Sequence, residues 1–228
     1  MIDKQVTSLA DAMAGITDGS VVLVGGFGQV GHPMALIDAL IEQGAKDLTI
    51  VCNNAGVGRS GLPRLMKLGR VRKIVCSYPR TAAVFSELYA AGQLELEITP
   101  QGTLAERIRA GGAGIGGFYT RTGAGTLLAQ GKETRSIDGK DYVFETPLRG
   151  DVALIEAWEA DRFGNLTYRG SGRNFNPVMV TAAALSIVQV QRVVEAGTIV
   201  PEAVVTPGLF VNRVVEVPYA PPFAAIEY

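Results

Sequence analysis

Short apolar runs alternate with segments of helical period through the first half of the chain. Apolar runs predict buried strands, while apolar residues three and four positions apart predict helices with one buried face. The predicted strands are 21–24, 48–52, 72–76 and 94–99. The predicted helices are 7–14, 34–42, 62–68, 82–91 and 104–110. Strands that alternate with helices through short loops predict an α/β fold with an open, largely parallel sheet and flanking helices.

The second half of the chain is expected to be richer in strands. Residues 111–125 are rich in glycine, which packs no side chain and loses most entropy on ordering, so they predict a long functional or subunit-contacting loop. Residues 161–168 contain a Gly-Asn turn between apolar segments. The other predictions are strands at 140–145, 152–158, 192–195 and 211–217, a helix at 177–186 and a coil at 218–228. No linker or repeat is visible, so residues 1–228 are expected to form a single domain.

Composition argues against several classes of partner. The 228 residues are 47% hydrophobic and carry 21 basic and 22 acidic side chains, spread along the chain, for a net charge of -1. This balance indicates neither nucleic acid nor an anionic membrane surface as a partner. No apolar run approaches the ~20 residues of a membrane span, and the start Met-Ile-Asp-Lys-Gln lacks a secretory pattern. We therefore expect a cytoplasmic protein.

The cysteines and the single histidine narrow the chemistry further. Cys52 and Cys76 each end an apolar run without a CxxC neighbour, so we predict buried free thiols rather than a disulfide or a metal site. His32 is the one histidine of the sequence, which removes histidine-based metal clusters and allows a Ser-His-Asp triad only with His32 as its base. Its place before Pro33 favours a plain helix-start residue.

The first predicted strand ends in a glycine-rich corner, and ligands of open parallel sheets bind at such strand ends. The corner residues of interest are Gly25, Gly26, Phe27, Gly28 and Gly31. Backbone N–H groups there could approach an anion, as in an oxyanion hole or a phosphate cradle, although a tight turn explains the glycines equally. The spacing also fits GxGxxG, but Pro33 follows at once and Asn53 stands where a dinucleotide site would have an acidic residue.

Neutral amides follow two other predicted strands. Asn53 and Asn54 come after the second strand, and Gln101 follows the fourth. Amides can orient a carboxylate or a carbonyl without charge, whereas ordinary turns are the simpler explanation. If the amides converge on one crevice, they form a polar site with no base or nucleophile of its own.

Three charged residues near strand ends are further candidates. Arg80 follows the third strand in Ser-Tyr-Pro-Arg and is either a solvated surface arginine or an anion ligand. Glu145 and Glu156 could act as catalytic carboxylates. Pairing with an arginine is the commoner role for such strand-end charges, and we favour it for both.

Residues 18–33 resemble the first signature of the family I CoA-transferases. That signature is Asp/Asn, Gly/Asn, two free positions, three apolar residues, Gly-Gly-Phe, three free positions, Gly, one free position and Pro, and this sequence fills every fixed position. The resemblance continues through the segments 53–56, 100–109, 114–118 and 161–165. It covers nearly the whole chain, which is similar to the A (alpha) subunit of a two-subunit enzyme. Residues 77–80, 131–135 and 164–169 are most similar to the branch that acts on 3-oxoadipate.

The resemblance implies a ping-pong transfer of CoA from succinyl-CoA to a 3-oxoacid, within aromatic compound catabolism. In the family, the attacking glutamate belongs to the B subunit, in a Glu-Asn-Gly motif that this sequence lacks. The resemblance therefore implies a partner B subunit, acyl-CoA and 3-oxoacid as substrates, and no catalytic residue in this chain. It also implies that Asn53, Asn54 and Gln101 contact the substrate. A dicarboxylate substrate needs a second anion site, and Arg80 is our candidate for the residue that binds its second carboxylate. CoA enters as a substrate, and neither a further cofactor nor a metal is expected.

Three alternatives stay open at this point. One is the same chemistry on acetoacetate or another short 3-oxoacid. Another is a stand-alone sugar-phosphate isomerase or small-molecule sensor on a related fold. The third is a catalytically silent scaffold.

Overall fold

The computed structural model of the protein describes residues 2–218. Apart from Pro218, the coil predicted for 218–228 lies outside the described residues. The strands are β1 Val21–Val24, β2 Leu48–Val51, β3 Val71–Cys76, β4 Glu95–Ile98, β5 Phe118–Thr120, β6 Thr134–Ile137, β7 Lys140–Glu145, β8 Gly150–Asp161, β9 Leu166–Thr167, β10 Ala183–Val194 and β11 Arg213–Glu216. The α-helices are α1 Leu9–Ala12, α2 Met34–Gln43, α3 Leu62–Lys67, α4 Ala83–Ala90, α5 Gln101–Ala113 and α6 Asn176–Val180.

An open sheet with the strand order β11-β10-β8-β1-β2-β3-β4 forms the centre of the fold. Neighbours along this path are parallel, and β9 adds to β8 in antiparallel direction. The chain proceeds outward from β1 to β4 and later returns to the other side of β1 with β8. The β1–β8 pair is therefore the switch point of the sheet, where open α/β sheets bind ligands. The predicted α/β class is confirmed, and the strand-rich second half adds a small antiparallel sheet of order β5-β7-β6.

Both faces of the central sheet are covered around β1, which explains the continuous apolar run of this strand. Val22 and Val24 pack into the core on one face, and Leu23 between them packs into the core on the other. Successive strand side chains point to opposite faces, so a strand buried on both sides needs apolar residues at every position. Cys52 and Cys76 are buried free thiols, as predicted. None of the helices within residues 2–218 has the length and apolar character that a bilayer crossing requires.

The prediction of an irregular loop over 111–125 is wrong at two places. Helix α5 continues through Gly111 and Gly112, and strand β5 follows within the same segment. A Cβ on Gly111 would lie 2.1 Å from the carbonyl oxygen of Leu148, and one on Gly112 would lie 2.5 Å from Oγ1 of Thr181. These glycines therefore serve close packing of a helix against its neighbours.

The prediction of a helix over 177–186 is correct only at its start. Helix α6 ends at Val180, and β10 begins three residues later, so the strand predicted at 192–195 is the end of a longer one. Strand β10 lies between β8 and β11, and its residues Ile187, Val188 and Val190 are buried. Pairing on both edges and burial of both faces outweigh the helix-like spacing of the local sequence. The Gly-Asn turn of 161–168 joins β8 to β9 as predicted.

We expect Gly111→Ala to destabilise the full chain by about 1–3 kcal/mol, because overpacking a filled site costs that much. This loss outweighs the gain of about 1 kcal/mol in helix propensity from glycine to alanine. Gly102→Ala in the first turn of the same helix is the matched control, since a Cβ there meets open space. Urea unfolding of both variants is the measurement. Equal stability of the two would contradict the packing explanation.

Candidate active site

The carboxyl ends of β1, β2 and β4 bring the predicted site residues to one edge of the sheet. Strand β1 leads into the glycine corner, which we define as residues 25–31. Asn53 and Asn54 follow β2 and are 2% and 1% exposed, and Gln101 opens α5 after β4. The fold therefore places the corner and the three amides together.

A tight turn forms the tip of the glycine corner. The N–H of Phe27 donates to the carbonyl of Val30, and the N–H of Val30 donates to the carbonyl of Phe27, both at 3.0 Å. Gly28 within this turn has a φ of 63°, in the left-handed region that favours glycine. Phe27 and Val30 are each 46% exposed, so the turn presents an apolar tip.

The first two glycines of the corner are required by packing inside the chain. A Cβ on Gly25 would lie 1.8 Å from Oδ1 of Asn176. Gly26 has a φ of 116°, and a Cβ there would lie 2.6 Å from the imidazole of His32. Both glycines are thus needed whether or not a ligand is bound.

His32 precedes α2 and also supports the corner from inside. Its ring lies against Gly26, and its Nε2 is 3.0 Å from the carbonyl oxygen of Gly28. Burial lowers the pKa of His32, and the contact with Gly28 opposes this shift. The ring is therefore neutral near pH 7, and its role extends beyond the predicted helix start.

Hydrogen bonds between amides connect the corner to α5. The N–H of Gly28 donates to Oδ1 of Asn54 at 3.0 Å, and Nδ2 of Asn54 donates back to the Gly28 carbonyl at 3.1 Å. Nδ2 of Asn53 donates to Oδ1 of Asn54 at 3.4 Å. Nε2 of Gln101 donates to Oδ1 of Asn53 at 2.7 Å. Asn54 therefore holds the corner, and Asn53 orients Gln101.

A cavity of about 360 Å³ lies between the corner and α5. It is lined by Phe27, Gln101, Gly102, Ala105, Asn174, Phe175 and Val178. None of these lining residues is titratable. Helix α5 begins here without a side-chain cap, so its first N–H groups can bind an anion. The cavity thus offers neutral donors and the positive end of a helix dipole, but its lining residues supply no nucleophile.

Two further asparagines hold the corner and were not identified from the sequence. Oδ1 of Asn174 accepts from the N–H of Gly26 at 3.1 Å, and Nδ2 of Asn176 donates to the carbonyl of Gly31 at 3.0 Å. Asn176 is fully buried. The run Asn-Phe-Asn-Pro, which follows Gly-Ser-Gly-Arg, is the signal that could have found them, because asparagine before a proline at the start of a helix is typical of a cap or turn.

Arg80 lies at the same edge of the sheet but outside the amide cluster. It is an exposed residue of the short turn Pro79–Thr81 that follows β3. Tyr78, two residues earlier, forms a β-bridge with Asn54. Arg80 lines neither of the two described cavities, so its role as a substrate ligand stays a prediction.

The two candidate glutamates have different surroundings. Glu145 is 2.6 Å from Nζ of Lys132 and 3.9 Å from Nε of Arg107, so its predicted pairing with cations is confirmed. Glu156 has no cation within ion-pair distance in the described residues, and the same prediction is wrong for it. It lines a second cavity of about 400 Å³ beside Val30. Burial raises the pKa of Glu156 to about 7, and a hydrogen bond from Gln189 opposes the shift.

The sequence matches a known protein family and named bacterial proteins. Residues 6–217 match the family model described as coenzyme A transferase. The chain is 59% identical over 219 residues to the A subunit of 3-oxoadipate CoA-transferase from Pseudomonas putida, covering 95% of each chain. It is 51% identical to the A subunit of succinyl-CoA:3-ketoacid coenzyme A transferase from Xanthomonas campestris pv. campestris, covering 93% of this chain and 88% of that one.

A solved structure supports the fold independently. The acyl-CoA transferase of Escherichia coli O157:H7, crystallised as a thioester complex with CoA, superposes with a TM-score of 0.88 at 24% identity. The match covers 98% of this chain and 49% of that one, so this chain spans about half the length of that transferase. The match over residues 6–217 and the identity to the bacterial A subunits show that the chain belongs to the coenzyme A transferase family.

Proposed function

We propose that the chain is the A subunit of an enzyme that transfers CoA from succinyl-CoA to 3-oxoadipate, in the cytoplasm and in complex with a B subunit. The observation that carries the proposal is the neutral cavity beside the corner, whose lining residues provide donors and no nucleophile. Such a cavity suits a shared active site that receives its nucleophile from another chain. The identity of 59% to the Pseudomonas putida protein supports the choice of substrate.

The exchange needs a carboxylate nucleophile, which we assign to a glutamate of the partner. This carboxylate attacks the thioester carbonyl of succinyl-CoA, and the tetrahedral oxyanion expels the CoA thiolate to leave a mixed anhydride. The thiolate then attacks the glutamyl carbonyl, releasing succinate and forming a glutamyl-CoA thioester. 3-Oxoadipate follows the same two steps in reverse, so that 3-oxoadipyl-CoA leaves and the free glutamate is restored.

This chain would stabilise the oxyanion and exclude water. Nε2 of Gln101 carries two hydrogens, and the one that Asn53 does not bind can reach an oxyanion in the cavity. The uncapped start of α5 adds partial positive charge at the same place. An anhydride hydrolyses in water, and the exposed apolar tip of Phe27 and Val30 is suited to close the site against the partner.

The identity of the acceptor acid depends on a second anion site. 3-Oxoadipate carries a carboxylate at the end where acetoacetate has a methyl group. Arg80 is exposed at the same sheet edge as the cavity and is absent from the ion pairs among residues 2–218, so we assign it to this carboxylate. The alternative is transfer to a short 3-oxoacid such as acetoacetate, and the observation behind it is the lower identity of 51% to the Xanthomonas protein, which is named for a 3-ketoacid.

We expect the purified full chain alone to show no CoA exchange, because its cavity has no nucleophile. Co-expression with a B subunit should give a stable complex that converts succinyl-CoA and 3-oxoadipate. Size-exclusion chromatography and the absorbance of the 3-oxoacyl-CoA product are the measurements. Activity of the lone chain on any sugar phosphate or acyl-CoA would refute the proposal and favour a stand-alone enzyme.

We expect Gln101→Leu to lower kcat of the complex by about 10²–10³, the usual cost of removing one oxyanion donor. Gln93→Leu is the matched control, since Gln93 is exposed and lies outside the cavity. Steady-state kinetics with saturating succinyl-CoA separate kcat from KM. A fully active Gln101→Leu complex would instead support the silent scaffold.

We expect Arg80→Ala to lower kcat/KM for 3-oxoadipate by about 10- to 100-fold, because hydrogen bonds to charged groups contribute about 1.5–3 kcal/mol. The value for acetoacetate should not change, since acetoacetate lacks the second carboxylate. Arg109→Ala, which removes an exposed arginine paired with Glu106, is the control. An equal loss on both acids would exclude the assignment.

A further inference from the structure

Hydrogen bonds connect Glu156 both to the end of the glycine corner and to the start of α2. The N–H of Glu156 donates to Oδ1 of Asn176 at 3.0 Å, and Nδ2 of Asn176 donates to the carbonyl of Gly31 at 3.0 Å. On the other side, Nε2 of Gln189 donates to Oε2 of Glu156 at 3.0 Å. Glu156 is therefore the residue at which these two hydrogen-bonded connections meet.

Gln189, on β10, caps helix α2 from outside the helix. Its Oε1 accepts from the N–H groups of Ala35 and Leu36, at 3.1 and 3.2 Å. The N-cap residue of α2 is Pro33, whose side chain makes no capping hydrogen bond. The start of the helix that follows the corner therefore depends on an amide from a distant strand.

Glu156 is one of the partners that fix which way the Gln189 amide faces. An amide has an oxygen that accepts and a nitrogen that donates, and a buried donor without an acceptor costs about 1–3 kcal/mol. Gln189 is 8% exposed, and Glu156 is the acceptor of its N–H among the described residues. With that acceptor in place, the oxygen faces α2. Without it, Nε2 of Gln189 would have no acceptor in this orientation, and only the two hydrogen bonds from Ala35 and Leu36 would favour it.

We infer that Glu156 is a positioning residue, which acts through Gln189 to fix the start of α2 and with it the glycine corner beside the cavity. The effect on catalysis rests on the proposed function, whereas the effect on α2 does not. Glu156 lines the second cavity and not the one that holds Gln101, so it acts without touching the reacting atoms.

The kinetic test uses five variants, each in complex with the B subunit. Glu156→Leu should lower kcat by about tenfold or more, because displacing positioned groups by about 1 Å costs up to 10²-fold. Glu156→Gln keeps an oxygen that accepts from Gln189 and should stay within about twofold of the unmodified complex. Gln189→Leu should resemble Glu156→Leu. Combining the two should cause no further loss of kcat, since both substitutions break the same connection from Glu156 through Gln189 to α2. Glu159→Leu, on the same strand, should leave the activity unchanged.

Amide hydrogen exchange at Ala35 and Leu36 of the full chain gives a readout independent of CoA chemistry. Exchange at both should be faster in Glu156→Leu and in Gln189→Leu, and unchanged in Glu156→Gln. If Glu156→Leu does not fold, Glu156→Asp replaces it, because the shorter side chain should also lose the hydrogen bond from Gln189. A complex without CoA exchange would refute the proposed function and leave this readout intact. Unchanged protection in Glu156→Leu, or equal effects of Leu and Gln at position 156, would overturn the inference.

Discussion

A buried amide beneath the end of β1 determines the shape of the site. Oδ1 of Asn176 lies where a Cβ of Gly25 would have to be, 1.8 Å away, and the same side chain binds the N–H of Glu156 and the carbonyl of Gly31. A buried amide group left without partners costs about 1–3 kcal/mol, so the glycine and the asparagine depend on each other. The corner therefore has its conformation before any substrate arrives.

The three amides at the strand ends differ in their contacts, because two of them support neighbouring residues and one lines the cavity. Both polar groups of Asn54 are used by the backbone of Gly28, and Oδ1 of Asn53 is used by Gln101. Gln101 alone of the three lines the cavity. Donors that are already oriented do not have to reorganise when charge develops on a substrate, which is how fixed dipoles accelerate acyl transfer. The buried asparagines thus hold Gly28 and Gln101 in place.

The sequence predicted features that depend on neighbours in the chain and failed where distant contacts decide. The short strands β1 to β4 and the glycine corner follow from local sequence patterns and turn residues. The need for glycine within the helix at position 111 could not be predicted, because the Leu148 carbonyl that leaves no room for a Cβ is brought near only by the fold. The strand β10 was mistaken in part for a helix, since its pairing with β8 and β11 is non-local. The contacts of Asn176 with Glu156 and Gly31 are likewise non-local, although the local run Asn-Phe-Asn-Pro indicates a cap or turn at this position.

The glycine signature identifies the corner without identifying the acid that the enzyme accepts. Gly25 packs against Asn176 and Gly26 packs against His32, both within this chain. Any relative with this packing therefore needs the two glycines, whatever its substrate. Relatives named for different acids are 59% and 51% identical to this chain, which agrees with a shared framework. Arg80, which is exposed after β3, is by contrast not held by this framework, and its role as a substrate ligand stays a prediction. The signature thus reflects packing within the chain, and it does not identify the substrate.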